Sequence, residues 1–368
     1  MARHVVTSRS LVVLLLFLIG GISVVAQSDY PPLRMTGIAW SPSGRYLAMG
    51  YADGRVKIAD TSVSDLWDLG RHRGSVHNLA WSSDDVRVAS VSASPDNSLM
   101  IWNVPSRQRI HAIPNLGTDL YAVAWESNAE QILVIPIEED AYVINAVSGS
   151  TIRTLRMGSV SDVIWDVLGN QIIIGGIGAI VVLDASTLGV QSVISENTRL
   201  EGQVVSLAWS SSTRAIAAGT SNGYVYIWRE DSRQIIFEGR GNTYQGEDWL
   251  TGFVVALSFS PNGSTLSSIS GDGTYRVWDI ATQTILENRQ LPAPIYAADW
   301  SPDRTKLAYG GADGEVHIEP IMPSTPPFPT AYPHPTGIPG GQPACPGGGG
   351  EWMWVDGELV FVCGVSWE

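Results

Sequence analysis

The groups best suited to chemistry are scarce and scattered. Six histidines and two cysteines in 368 residues cannot supply a cysteine-rich zinc module, so any metal site would rest on oxygen ligands. The acidic run Glu138-Glu139-Asp140 offers such oxygens, but it falls at a predicted strand-to-strand turn, where solvated carboxylates are the commoner outcome. No metal site is assigned. The stretch IIIGGIGAIVVLD at 172–184 is glycine-rich, yet Gly175, Gly176 and Gly178 miss the GxGxxG spacing and no helix follows to present its amides to a phosphate. It reads as two strands, and no cofactor is expected. His77 stands near a predicted loop mouth with no Cys or Ser nucleophile in a recognisable motif beside it. Paired glycosidase carboxylates have a spacing that exists only in three dimensions, which leaves an unrecognised hydrolase as a third-ranked reading. The sequence predicts a protein that is not an enzyme.

Charge narrows the partners. There are 36 Asp+Glu against 22 Lys+Arg, an acidic balance that excludes a counterion-releasing nucleic-acid binder. Two of the arginines, Arg3 and Arg9, precede an apolar run, LVVLLLFLIGGI at 11–22, that ends in SVVA at Ala26. These are the three zones of a secretory signal peptide. Val24 and Ala26 sit where small residues precede a cut, so residues 1–26 are expected to be removed and the chain to start at Gln27. Position 27 is not Cys, which argues against a lipoprotein anchor. The rival reading, a retained anchor, has only the stretch from Leu11 to Ala26, shorter than the ~20 residues a spanning helix needs. The expected location is the cell envelope or the exterior, with no stable membrane span after cleavage, and there a disulfide is permitted.

The elements that would position any site come from a repeat. MTGIAW (35–40), VHNLAW (76–81), LYAVAW (120–125), VSDVIW (160–165), VVSLAW (204–209), VVALSF (254–259) and IYAADW (295–300) each put an apolar residue five positions before an aromatic one. The aromatic anchors Trp40, Trp81, Trp125, Trp165, Trp209, Phe259 and Trp300 are separated by 41, 44, 40, 44, 50 and 41 residues. After each comes a turn rich in Ser, Pro, Asp, Asn and Gly, then a second strand. Asp53-Gly54, Asn222-Gly223, Asp272-Gly273 and Asp313-Gly314 then predict two-residue type I′ hairpins. A third strand ends in Ile58, Trp102, Trp228 or Trp278, and a looser fourth follows. Such a four-stranded unit buries too little alone, but seven packed around an axis bury one another. The fold predicted is all-β: a seven-bladed β-propeller of four-stranded antiparallel blades over residues 27–320.

With Trp278-Asp279 as the signature dipeptide and Trp102-Asn103 and Trp228-Arg229 as near matches, the chain resembles the tryptophan-aspartate (WD) repeat family across residues 33–320. The resemblance implies a hydrogen-bonded structural tetrad, which maps by spacing onto His72, Ser90, Asp96 and Trp102. The sixth repeat keeps Ser268, Asp272 and Trp278 but has Leu250 at the His position. Ala59, Leu183 and Glu319 replace the third-strand Trp elsewhere, and the third repeat gives no secure alignment there. The family's one-strand offset implies that a terminus supplies the last outer strand. Gln27–Arg34 is the preferred donor, with Pro320–Pro327 competing.

Residues 321–349 are dense in Pro and Gly and predict an extended linker. Residues 350–368, GEWMWVDGELVFVCGVSWE, predict a hairpin turning at Asp356-Gly357, with Trp352 opposite Phe361 and Trp354 opposite Leu359. Cys345 and Cys363 bracket it, and a disulfide across them would contribute ~3 kcal/mol by the chain-entropy argument. The hairpin either clips onto the propeller or offers Trp352, Trp354 and Phe361 as a platform for a glycan or cell surface.

Binding is the better functional reading, because rigid strands hold converging loops. Four residues before each anchor stand Thr36, His77, Tyr121, Ser161, Val205, Val255 and Tyr296, of which Tyr121, Tyr296 and His77 are the candidate partner contacts, against a background role as channel lining. The insert GRGNTYQGEDWLTG at 239–252, with Tyr244 and Trp249, is the favoured specificity loop, ahead of Arg71 and Arg73 beside His72. The expected function is a protein-protein interaction scaffold. A carbohydrate-binding surface protein is the alternative.

Overall fold

The computed structural model describes residues 34–321 apart from 64, 138, 167–169, 196–199, 201, 230–234, 241–251 and 293, together with strand backbones at 22–23, 350–355 and 358–363. The chain divides into two compact units, Met1–Pro323 and Ser324–Glu368.

The first unit holds seven four-stranded antiparallel sheets. Each of the seven anchor segments is the innermost strand of a blade; in six blades the next three strands follow it outward in chain order, and in the seventh the next two do. The second blade is representative, with Val76–Trp81, Arg87–Ser92, Leu99–Asn103 and Gln108–Ile113. Each inner strand packs on the inner strands of both neighbours, and Met35–Trp40 meets Ile295–Trp300, so the ring closes. The core is a series of interleaved clusters between adjacent blades. One joins Ala89, Val91 and Ile101 of the second blade to Leu120, Val123 and Trp125 of the third. Among the described residues no helix is long and apolar enough to cross a membrane.

In three of the seven blades the aromatic anchor does more than fill the core, whereas Trp165, Trp209 and Trp300 bury an unpartnered indole. Trp81 Nε1 donates to the Ala39 carbonyl (3.0 Å), Trp125 Nε1 to the Ala80 carbonyl (2.9 Å) and Trp40 Nε1 to the Asp299 carbonyl (3.2 Å). Each indole thus ties its own inner strand to that of the preceding blade. Side chains tie the next seams in the other direction: Asp299 accepts from Trp40 N (2.8 Å), Asp162 from Leu207 N (2.7 Å), and Ser206 Oγ donates to the Val254 carbonyl (2.8 Å). An inner strand has one edge without a ladder partner, and these contacts satisfy its backbone there.

Three expectations are corrected. The Asp-Gly and Asn-Gly turns are not type I′ hairpins: only the glycines have positive φ (Gly54 91°, Gly223 84°, Gly273 83°, Gly314 70°), and the N–H of each donates to the carbonyl three residues earlier, as in Gly54 N to Tyr51 O (2.9 Å). The strands splay beyond a two-residue loop, pairing last at Gly50↔Val56, so a type I turn followed by a left-handed glycine spans the gap. The outer strand of the seventh blade is Ile22–Ser23, paired Ile22↔Ile318 and Ser23↔His317, rather than Gln27–Arg34. Pro31-Pro32 lack the N–H groups a ladder needs, whereas Ile22 and Ser23 have them. The third blade does have a residue at the third-strand Trp position: Ile144, paired with Ile132 as Trp102 is with Val88.

In the second unit Gly350–Val355 pairs with Glu358–Cys363, with Trp352↔Phe361 and Trp354↔Leu359 in register. Cys345 lies outside the described residues and Cys363 is described only as strand backbone, so their pairing stays an expectation.

Candidate functional site

Blade geometry sends the turns between second and third strands, and those entering each inner strand, to one end of the ring. At that end every inner strand is bulged at the same place. The register slips between Met35/Gly37, Val76/Asn78, Leu120/Ala122, Val160/Asp162, Val204/Ser206, Val254/Ala256 and Ile295/Ala297. The residues skipped are Thr36, His77, Tyr121, Ser161, Val205, Val255 and Tyr296, the seven singled out by spacing. A bulge frees one residue from the ladder and re-aims its side chain.

The seven differ in surroundings. Thr36 Oγ1 donates to the Val76 carbonyl (2.5 Å) and belongs to the blade seam. Ser161 is buried and receives a hydrogen bond from Gln203 Nε2. Val205 and Val255 are half-buried. The His77 ring meets the Tyr121 ring edge-on with centroids 5.5 Å apart. Burial lowers the His77 pKa and so favours the neutral imidazole, and its Nδ1 is enclosed with no hydrogen-bond partner. Tyr121 keeps 38% of its surface exposed. Tyr296 is half-buried beneath Arg34, whose guanidinium carbon stands 4.0 Å from the ring centroid. The result is an aromatic arc running from the seventh blade through the second to the third.

The tetrad lies within the second blade. Trp102 Nε1 donates to Ser90 Oγ (2.8 Å), and Ser90 Oγ lies 2.7 Å from His72 Nε2. His72 Nδ1 is 2.8 Å from Ser98 Oγ, which donates to Asp96 (3.0 Å). Direct His72 to Asp96 separation is 3.7 Å, so the chain runs through Ser98, a link the spacing did not reveal. Asp96 also accepts from the amides of Arg73 and Gly74, which fixes the loop entering the second blade. Burial pushes the His72 pKa down to about 4; a neutral ring bonded at both nitrogens is a structural part, without a free atom for chemistry. In the sixth blade Trp278 Nε1 reaches Ser268 Oγ (3.0 Å). In the fifth, Ala218 occupies the serine position and Trp228 Nε1 is buried without a partner.

Two buried carboxyls were invisible in the sequence because their partners are backbone amides of another blade. Burial pushes Asp162 up to about 7 and Asp299 up to about 6, against the amides of Leu207 and Val163 and of Trp40 and Trp300 that pull them down. Each residue is half-buried overall, while its carboxylate sits among protein atoms in the seam. Asp313, Glu315 and His317 gather within 4.8 Å on the seventh blade, with His317 Nε2 already 2.8 Å from Asp313. The glycine-rich 172–184 stretch forms the strands Gln171–Gly176 and Ala179–Asp184. Glu138, Tyr244 and Trp249 lie outside the described residues, and Trp352, Trp354 and Phe361 are described only by their backbone.

The family profile described as "Anaphase-promoting complex subunit 4 WD40 domain" matches residues 19–84 and 207–303. The chain is 26% identical over 278 residues to the B-type cell cycle switch protein ccs52B of Medicago truncatula, covering 74% of this chain and 46% of that protein. It is 24% identical over 277 residues to Protein FIZZY-RELATED 3 of Arabidopsis thaliana, with 74% and 46% covered. WD repeat-containing protein 1 of Gallus gallus is 22% identical over 260 residues, with 70% and 35% covered. The chain therefore spans less than half the length of these curated relatives.

Proposed function

We propose that this chain, a WD-repeat β-propeller, is a non-catalytic protein-interaction scaffold that is exported and recruits its partner through the loop end of the ring. One observation carries the reading: seven bulges at one height re-aim seven side chains at the same end, and three of them, the exposed Tyr121 and the half-buried His77 and Tyr296, are aromatic. Strands tied seam by seam hold these side chains in place, so little conformational entropy is lost when a partner covers them. Tyr121, Tyr296 and His77 supply rigid contact area. The relatives, named as cell cycle switch and WD-repeat proteins, support the class of function and leave the partner open. Export rests on the leader-like residues 1–26. The sugar-binding alternative draws support from the register that sets Trp352, Trp354, Leu359 and Phe361 on one hairpin face.

The test places a photo-crosslinking amino acid at Tyr121 or Tyr296, and at Val63 or Val147, which are exposed on the opposite end. A discrete protein adduct from the first pair alone is the expected result. Adducts only from the second pair, or from none, overturn the reading.

A further inference from the structure

We propose that the loop end of the first blade is a docking surface for an acidic peptide segment of the partner, an inference that rests on the scaffold reading above. In a chain with 14 excess negative charges, four arginines gather here. Ala52 N donates to the Arg34 carbonyl (2.9 Å), which brings the start of the inner strand beside the turn at Asp53. Arg55 and Arg71 are directly paired across the third and outer strands, so their Cα atoms lie ~5 Å apart. His72 N donates to the Gly54 carbonyl (2.8 Å) and sets Arg73 one residue beyond. Arg71 and Arg73 are exposed, and Arg34 and Arg55 half-buried.

Asp53, Asp96 and, on the adjoining seventh blade, Asp313, which meets His317 Nε2 at 2.8 Å, are already engaged. Asp53 is shared between Arg55 (2.7 Å) and Arg71 (3.5 Å). Asp96, its side chain 12% exposed, accepts from the amides of Arg73 and Gly74 and from the hydroxyls of Ser92 and Ser98. Arg34 and Arg73 therefore have no carboxylate partner among the described residues. Arg34 stands over the Tyr296 ring, 4.0 Å from its centroid, a contact with the π face that holds the guanidinium without using its N–H donors. Guanidinium groups held in this way match carboxylates through paired hydrogen bonds.

Peptide is favoured over nucleic acid, since the chain as a whole repels a polyanion and the patch is only one blade wide. Asp119, Glu139 and Asp140 line the same end at the third blade and Asp313 and Glu315 at the seventh, so an acidic segment is repelled from both flanks and confined to the first blade. The aromatic arc of Tyr296, His77 and Tyr121 begins where the arginines end, and it suits a hydrophobic residue following the acidic ones.

The experiment uses the full chain and a fluorescein-labelled peptide of alternating Glu and Tyr, with a Lys-for-Glu peptide and a single-stranded oligonucleotide as comparison probes. The expected result is binding of the acidic peptide alone, weakening as salt rises, and a loss of roughly tenfold or more in affinity for Arg71→Glu and for Arg73→Glu. Arg107→Glu makes the same charge change at the opposite end and leaves affinity unchanged. Equal binding of the Lys peptide, preference for the oligonucleotide, or equal effects of Arg73→Glu and Arg107→Glu overturn the inference. Circular dichroism of each variant separates loss of binding from loss of fold. If Tyr121 and Tyr296 crosslink a partner while the arginine variants bind as the parent does, the acidic-segment inference falls and the scaffold reading stands.

Discussion

Replacing Ala218 by Ser should repair the fifth blade. Ala218 pairs with Tyr226, two residues before Trp228, and Ser90 and Ser268 hold the same place relative to Trp102 and Trp278. In those two blades the serine accepts the indole N–H at 2.8 and 3.0 Å, whereas Trp228 Nε1 is fully enclosed and unpartnered. The sixth blade shows that the pair forms with Leu250 at the histidine position. A neutral hydrogen bond contributes about 1 kcal/mol net, and satisfying a buried orphan donor is at the favourable end of that range. For a domain of this size the gain reads as about 2 °C in melting temperature. Thermal and urea denaturation of the parent, Ala218→Ser, Trp228→Phe and the double variant form a cycle that isolates the pair. The reasoning requires the gain to vanish when the indole is gone. An equal gain in the Phe background, or a loss in the parent background, refutes it.

The indoles that tie adjacent blades predict unequal costs: Trp125→Phe, which strands the Ala80 carbonyl, should destabilise by about 1 kcal/mol more than Trp165→Phe, whose indole has no partner, and equal urea midpoints would contradict this. The pH dependence follows from opposing buried groups. The depressed His72 pKa costs stability as pH falls from 6.5 toward about 4, and the raised Asp162 and Asp299 pKa values cost stability as pH rises from 3.8 toward about 7 and 6, each with a slope of about 1.4 kcal/mol per unit. From these three groups stability should rise gently as pH drops through that window, flatten in Asp162→Asn and steepen in His72→Gln, as read from denaturation midpoints. A chain beginning at Gln27 lacks the Ile22–Ser23 pairing and should be less stable than the full chain by about 1–2 kcal/mol; N-terminal sequencing of exported protein shows which form exists.

Much of the fold was legible because its causes are local and repeated. The anchors recur with their spacing since each fills the core between neighbouring blades, with Trp81 and Trp125 also reaching a carbonyl of the preceding blade, and Gly44 and Gly263 recur since each turn after the anchor needs a left-handed residue (φ 70° and 69°). Where another side chain serves, the signal fades. Ala129 and Arg304 adopt the same left-handed turn (φ 62° and 61°), and Ile144 fills the Trp position of the third blade by register alone. The closing strand was misplaced because two residues of ladder leave little trace in composition, while Pro31-Pro32 are a plain obstacle to the alternative.

The site was legible as a list and not as a place. Spacing marked the seven residues before the anchors, but their common bulge is a property of pairing between strands, and no single strand encodes it. Arg71 and Arg73 drew notice as neighbours of His72; Arg34 and Arg55 did not, because they join the group only through the Ala52-to-Arg34 and Arg55-to-Arg71 pairings. The same holds for Asp162 and Asp299, whose partners are amides 45 and 259 residues away. In a ring of repeats, local chemistry sets each blade and is readable in sequence. What one blade offers another, or a partner, arises at the seams and rims, where residues far apart in the chain become neighbours. Charge reversal at Arg73 and hydroxyl repair at Ala218 probe these two levels separately: the first should change binding without moving the melting temperature, the second the reverse.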